Sequence, residues 1–368
     1  MQTSSRAQDG ALRFTPVDLD GVPHVDALLI SLGLGPFDRT TVTSAQGRND
    51  NWSGTTTGGT EVFVKQITSP DRAARMRHTT AFCAAAEGRL NTPRLLGFDE
   101  DHGLLVFACL SGSRSGRDLV ADDAFDEAMC ERAAAALAEV HGLPPDGFDT
   151  APHPLPPTGY LEAVGYEFYT QATAAELATW RLLHGDAELA RALRELRAAD
   201  TEDLPARCPI HGDLRLDQFL LADGVLHLTD FEESRLGDPA RDLGAFAGEW
   251  LHQAAMAIPR TLADASPMGH TATHEEIIAT GVGEIEQRTP LARRFFSAYL
   301  DRAPAFIRED KGLATRAAAY AGWHMMDRML ATAGSATRLT PVTRAAAGIG
   351  RTVLLSPAEF TSSLGLEA

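Results

Sequence analysis

Glu61-Val62-Phe63-Val64-Lys65 alternates polar and apolar positions, whereas Asp123 to His141 repeats its apolar positions at helical spacing. The first pattern predicts a strand with one face buried and the second an amphipathic helix. Around that strand, Thr41 to Thr43 and Trp52 to Thr57 predict two more, with Gly58-Gly59 as a tight hairpin turn. Gln46 to Asn51 reads as a polar turn between them. Ala73 to Arg89 predicts a helix with Asp71 near its start, and Pro93 to Gly97 leads into another strand. Leu104 to Leu110 is a further short apolar run, ended by Ser111-Gly112-Ser113. Before all of these, Val22 to Leu34 predicts a short helix closed by Gly33 and Gly35, and residues 1 to 15 are polar and expected to be loose.

Beyond Ser111 the helical period dominates. After the Ala-rich stretch ending at His141 comes an irregular Pro-rich loop, Pro144 to Pro157, then one or two helices over Tyr160 to Ala199. Leu243 to Ile258, Glu275 to Gln287, Leu291 to Arg302, Ala314 to Ala333 and Val342 to Leu355 predict further helices, separated by Pro or Gly. Strands with one helix, followed by many helices, describe an α+β chain in two lobes. The expected division is a β-rich N-lobe over 1–110 and a helical C-lobe over 111–368, with Ser111 to Gly116 as the hinge.

Composition narrows the partners. A net charge of −17 argues against a nucleic-acid backbone or an anionic membrane, since either needs a basic face. Cys83, Cys109, Cys130 and Cys208 form no CxxC pair, so they are expected to be reduced core residues rather than a zinc site or a disulfide framework. Met1 to Arg13 has no apolar stretch of signal-peptide length and no later run suits a bilayer span, which gives the cytoplasm as the expected location.

The chemistry concentrates in His211-Gly212-Asp213-Leu214-Arg215-Leu216-Asp217-Gln218, followed by Asp230, Asp238 and Asp242. Phosphoryl transfer asks for a carboxylate at the acceptor hydroxyl, oxygen ligands for Mg²⁺ and a cation on the nucleotide phosphates. Asp213 is the expected base. Gln218, five residues on, offers an uncharged amide oxygen, and a hairpin around Asp223-Gly224 can return Asp230 to its side as the second metal ligand. Lys65, at a strand end, is the candidate for the phosphates, and Asn49 and Asn51, within the stretch Gly47 to Gly54, are candidates for covering them. His184-Gly185-Asp186 repeats the HGD string, but Arg191 stands where a metal ligand would be and leucines at helical spacing surround it, so it reads as chance on a helix. His141, Trp323, Met325, Met326 and Met329 read as structural or core residues.

His211, Gly212, Asp213, Gln218 and Asp230, with Gly237-Asp238-Pro239 and Asp242-Leu243, resemble the aminoglycoside phosphotransferase and choline kinase family over about residues 40 to 250. That resemblance implies a bilobal protein-kinase-like fold, ATP and Mg²⁺ in the cleft, and transfer of the γ-phosphate to a hydroxyl. Three departures stand out. Gln218 replaces the family's metal-binding Asn, and Arg215 resembles the catalytic-loop lysine of protein serine/threonine kinases. The helix glutamate that should pair with Lys65 is not evident, with His78 near its expected place and Glu87 further on. Seven residues between Asp230 and Asp238 leave no room for a long activation segment.

Within that family, Asn49-Asp50-Asn51-Trp52, the Arg215 and Gln218 loop, Asp230-Phe231-Glu232-Glu233 and Gly248-Glu249-Trp250-Leu251-His252 look like the kinase subunit of class V lanthionine synthetases. The resemblance implies phosphorylation of a Ser or Thr of a ribosomal precursor peptide in lanthipeptide biosynthesis, with a lyase or cyclase of the same pathway as partner. A small cationic or sugar-like alcohol, as in antibiotic kinases, is the alternative acceptor. A pseudokinase that binds a partner without transfer is the third reading, weakened by the retention of Lys65, Asp213 and Asp230 together.

Overall fold

A computed structural model describes residues 18–44, 49–200, 207–266 and 270–367. The expected loose stretch 1–15 and Gly47 lie outside them. The chain is bilobal and α+β, as its periodicities predict.

Helix α1 (His24–Ser31) precedes strands β1 (Asp50–Thr55) and β2 (Glu61–Gln66), then helix α2 (Arg72–Ala86) and strands β3 (Leu95–Asp99) and β4 (Leu104–Ala108). The four strands form one antiparallel sheet in the order β1-β2-β4-β3. Thr43, expected in a strand of its own, makes only an isolated bridge to Ser53. The alternation in β2 divides labour between the faces of the sheet. Val62 and Val64 are fully buried with Leu104, Val106 and Trp52 against Val25 and Leu29 of α1. Phe63 and Lys65, one residue out of phase, line the cleft on the other face.

β5 (Arg114–Ser115) pairs with β7 (Phe219–Ala222), which pairs with β8 (Val225–Leu228). β6 (Cys208–Ile210) pairs with β9 (Arg235–Gly237). These short ladders sit among α3 (Gly116–Ala121), α4 (Glu127–His141), α5 (Tyr166–Gln171), α6 (Ala174–His184), α7 (Ala187–Ala199), α8 (Ala240–Ala265), α9 (His274–Leu300), α10 (Ala305–Arg308), α11 (Leu313–Ser335) and α12 (Pro341–Leu355). Alanines on α4 and glycines on α8 let these helices pack closely. A Cβ on Gly244 would lie 2.3 Å from the Ala317 carbonyl oxygen of α11. Trp323, Met325, Met326 and Met329 are core residues, as their spacing predicts.

Two further expectations are corrected. Pro290 does not separate two helices, because α9 runs through it: the ring removes a single N–H, the one that would meet the Glu286 carbonyl, and packing on α4 and α8 holds the helix on both sides. The second HGD string lies at a junction rather than within a helix. His184 ends α6, Gly185 caps it, and Asp186 caps α7 by accepting the Leu189 N–H while pairing with Arg351. No helix among the described residues is long and apolar enough to cross a membrane, and the four cysteines are unpaired.

Candidate active site

The loop that carries Asp213 is hung from a buried carboxylate. Asp242, in the first turn of α8, accepts the backbone N–H of His211 at 2.7 Å and of Gly212 at 2.9 Å. His141 adds a third contact, its Nε2 3.0 Å from Asp242 and its Nδ1 2.6 Å from the Tyr299 hydroxyl. Burial alone would raise the Asp242 carboxyl, but His141 and these amides hold it below the usual carboxylate range. The loop then turns sharply at Gly212, where φ is +88° and a Cβ would stand 2.5 Å from the Glu233 carbonyl oxygen.

That turn places Asp213 beside Arg215, whose Nη1 donates to Asp213 Oδ2 at 3.0 Å. The same guanidinium reaches Asp217 at 3.1 Å through Nε and stands 4.0 Å from Asp230. Burial, helped by Asp327 and Asp230, raises the Asp213 carboxyl above its ordinary range against the pull of Arg215 and Arg328. A carboxylate of raised proton affinity, fixed by a neighbouring cation, suits a group that accepts a hydrogen bond from an alcohol.

The hairpin around Asp223-Gly224 forms as its turn residues predict, with φ positive at both, +48° and +75°. It returns the chain so that Thr229 donates through both its N–H and its hydroxyl to the Gln218 carbonyl, each at 3.0 Å. Asp230 follows in a left-handed conformation, φ +70°, that a non-glycine residue adopts at a cost of about 1–2 kcal/mol. Phe231 then stacks on Phe82 of α2 with ring centroids 3.5 Å apart and lies against His211 at 5.3 Å.

Lys65 reaches across from β2 to Asp230 Oδ1 at 2.6 Å and to the Glu232 carboxylate. Burial would lift the Asp230 carboxyl; Lys65 and then Arg215 outweigh that and hold it well below the usual range. Burial likewise opposes the Lys65 ammonium, and Asp230 and Glu232 more than restore it. The lysine's partner is therefore neither residue considered from the sequence. His78 contacts the Glu232 carbonyl and Asp149 instead, and Glu87 caps the end of α2 facing solvent. The signal that could have found Glu232 is the composition of α2: Arg72–Ala86 contains no Asp or Glu, while two glutamates follow Asp230. Asn49 donates to Glu232 Oε1 at 2.9 Å and Asn51 to the Asn49 carbonyl at 3.3 Å, so these two residues are tied to the same carboxylate.

Lys65, Arg215, Gln218, Asp230 and Glu232 line one cleft of about 840 Å³ between the four-stranded sheet and the helices, and Arg215 links Asp213 to it. Its far end is closed by Cys109 to Ser113, where the chain passes from the sheet to β5. Phe63, Leu105, Phe107 and Leu220 give it apolar walls suited to a flat base, and Lys65 a cation for phosphates. The donors also fit a hard cation. Asp230 offers a carboxylate and Gln218 an amide oxygen, leaving the remaining positions of an oxygen shell to nucleotide and water. At present Gln218 Oε1 accepts the Arg215 N–H at 2.8 Å, while its Nε2 is buried without a partner among the described residues.

Residues 41–275 match the model of the phosphotransferase enzyme family, APH. Solved structures share the fold at low identity. A choline/ethanolamine kinase family protein from Mesorhizobium loti is 16% identical, with 94% of this chain and 97% of that one covered at a TM-score of 0.52. Choline kinase LicA from Streptococcus pneumoniae is 15% identical over 92% and 99% of the two chains, with a TM-score of 0.50. Amicoumacin kinase, solved with AMP-PNP, Ca²⁺ and Ami, is 14% identical over 92% and 96%, at 0.52. None of the curated protein sequences compared with the chain matches it. With nearly two thirds of its length matched by the family model and the kinase-like cleft in place, the chain belongs to the phosphotransferase enzyme family.

Proposed function

We propose that the protein transfers the γ-phosphate of Mg²⁺-bound ATP to the hydroxyl of a small-molecule alcohol. The observation that carries this reading is the convergence on one cleft of Lys65, Gln218 and Asp230, with Asp213 joined to them through Arg215. Lys65 would hold the phosphates, Gln218 and Asp230 the ion, and Asp213 the acceptor hydroxyl. The nucleotide and ion supply the phosphoryl group and neutralise charge on it; the protein's own task is to align the hydroxyl and exclude water. Arg215, 3.0 Å from Asp213 and 4.0 Å from Asp230, stands where it can steady both carboxylates.

Support for a small acceptor comes from the segment after Asp230. Within seven residues it is already paired, as β9, to β6, and Asp238 is pinned by Ala240 N–H and Arg316, so no extended platform for a peptide follows the metal residue. The acceptors after which two of the neighbours are named, choline and amicoumacin, are of the same class.

A Ser or Thr of a precursor peptide, phosphorylated for a partner lyase, is the second reading. It is favoured by Arg215 lying directly on Asp213, and it rests otherwise on resemblance. Incubation with Mg²⁺ and ATP against two panels, amino alcohols and antibiotics in one and Ser/Thr peptides in the other, tests both. Mass gain of one phosphoryl group on a small alcohol, abolished in Asp213→Ala, is the expected result. Transfer to peptides alone would reverse the assignment, and no transfer with intact nucleotide binding would return the pseudokinase.

A further inference from the structure

In this cleft the helix that packs beside Lys65 is charge-inverted. α2 carries no carboxylate; it presents Arg75 and His78 instead. Arg75 Nη1 donates to Glu232 Oε2 at 3.1 Å and pairs with Glu233 Oε1 at 2.7 Å, and its Nε is held by Asp71 at 2.9 Å. His78 Nδ1 lies 2.8 Å from the Glu232 carbonyl. The other oxygen of Glu232, Oε1, faces Lys65 and accepts from Asn49. The Glu232 side chain, about one-tenth exposed, thus bridges three parts of the N-terminal region: the turn before β1, strand β2 and helix α2.

We propose that Glu232 is the positioning residue for Lys65, taking from the metal-side loop the part a helix carboxylate would play, with Arg75 as the arm by which α2 reaches it. Physically the arrangement is a relay of alternating charge, Lys65⁺ to Glu232⁻ to Arg75⁺, in which each carboxylate oxygen meets one cation. Its consequence is that Lys65 and Asp230 are set by one stretch of chain, Asp230-Phe231-Glu232. A shift of α2 reaches the lysine through Arg75 and His78, which hold the side chain and carbonyl of Glu232, and through the stacked Phe82 and Phe231 rings. Asn49 belongs to the same relay, because it donates to the Glu232 oxygen that also faces Lys65.

The inference rests on the phosphotransferase reading, and the experiment separates the two. The chain contains only two lysines, Lys65 and Lys311, so selective ¹³Cε labelling gives one resonance for each, with exposed Lys311 as internal reference. In Glu232→Gln the order parameter of Lys65 is expected to fall toward that of Lys311. The KM for MgATP should rise about ten- to a hundredfold, the worth of one charge-assisted hydrogen bond. Arg75→Met should move both readouts in the same direction by less, and the double variant should fall short of the sum. Glu232→Asp, which keeps the charge, should recover part of the loss. An unchanged Lys65 order parameter in Glu232→Gln, with only the Mg²⁺ requirement altered, would overturn the proposal by assigning Glu232 to the ion. Absence of MgATP binding to the unaltered protein by calorimetry would instead overturn the phosphotransferase reading, while the Lys65 measurement still decides the role of Glu232.

Discussion

Asp242 accepts the Gly212 backbone N–H at 2.9 Å from a side chain with no solvent exposure, so the turn that leads into Asp213 is anchored by a charge that the fold can keep only if it is fully bonded. Asp242→Asn retains the shape but removes the charge, and must turn one amide hydrogen toward a donor. A loss on the order of 2–4 kcal/mol of stability is expected, together with loss of transfer. The pH dependence has a definite sign. Because the folded Asp242 titrates below its unfolded value, its contribution is complete above the ordinary carboxylate range and disappears as pH falls through the folded value. Thermal melts from pH 7 downward should therefore show the gap between the two proteins closing only under acid conditions.

Asp213 has the opposite sign. Its carboxyl is raised by burial, so its ionised form costs the fold stability once pH exceeds the unfolded value. Asp213→Asn is expected to melt at or above the temperature of the unaltered protein while losing about 10²- to 10⁴-fold in kcat, the usual share of a positioned base. Initial rates of ADP release across pH should fall on the acid side through the raised value. A variant that loses stability in proportion to activity would show Asp213 to be structural.

How much of this was legible in the chain depended on the range of the interaction. The strand face of Val62 and Val64, the turn at Asp223-Gly224 and the packed stripe of α11 follow from local periodicity and turn chemistry, and they stand as read. The position of Asp242 was legible because it follows the HGD string in the order of the family it resembles, whereas its bonds to the loop backbone appear only in the fold. Glu232 was not, because its role depends on Lys65, far away along the chain, and on Arg75 across a different packing contact. Pro290 misled for a related reason: tertiary packing of α9 on α4 and α8 outweighs the local breaker.

Gly212 tests the geometry of the loop without touching a charge. Its φ of +88°, and the 2.5 Å that would separate an added Cβ from the Glu233 carbonyl oxygen, leave alanine no position without moving backbone. Gly212→Ala is expected to cost more than the roughly 1–2 kcal/mol of a left-handed residue alone, because the Glu233 carbonyl must also shift. Since Glu233 adjoins Glu232, MgATP affinity should fall along with kcat. Calorimetry alongside steady-state rates would show it; a pure loss of kcat would mean that the two loops move independently.

Gln218 offers the most direct probe of the ion. Its Oε1 is engaged by the Arg215 N–H at 2.8 Å, and its Nε2 has no partner among the described residues, so one half of the amide contributes nothing to the fold as it stands. Gln218→Glu keeps the acceptor for Arg215 and turns the idle nitrogen into a second carboxylate oxygen. Asp213, Asp217 and Asp230 already converge on Arg215, so the added charge should lower the melting temperature in the absence of divalent ions. Magnesium should then raise it by more than it raises that of the unaltered protein, since an ion that binds only the folded state stabilises in proportion to its affinity. Each tenfold gain in affinity is worth about 1.4 kcal/mol, well within reach of a thermal titration. An equal response to magnesium in the two proteins would place the ion away from residue 218 and leave Asp230 as its protein ligand.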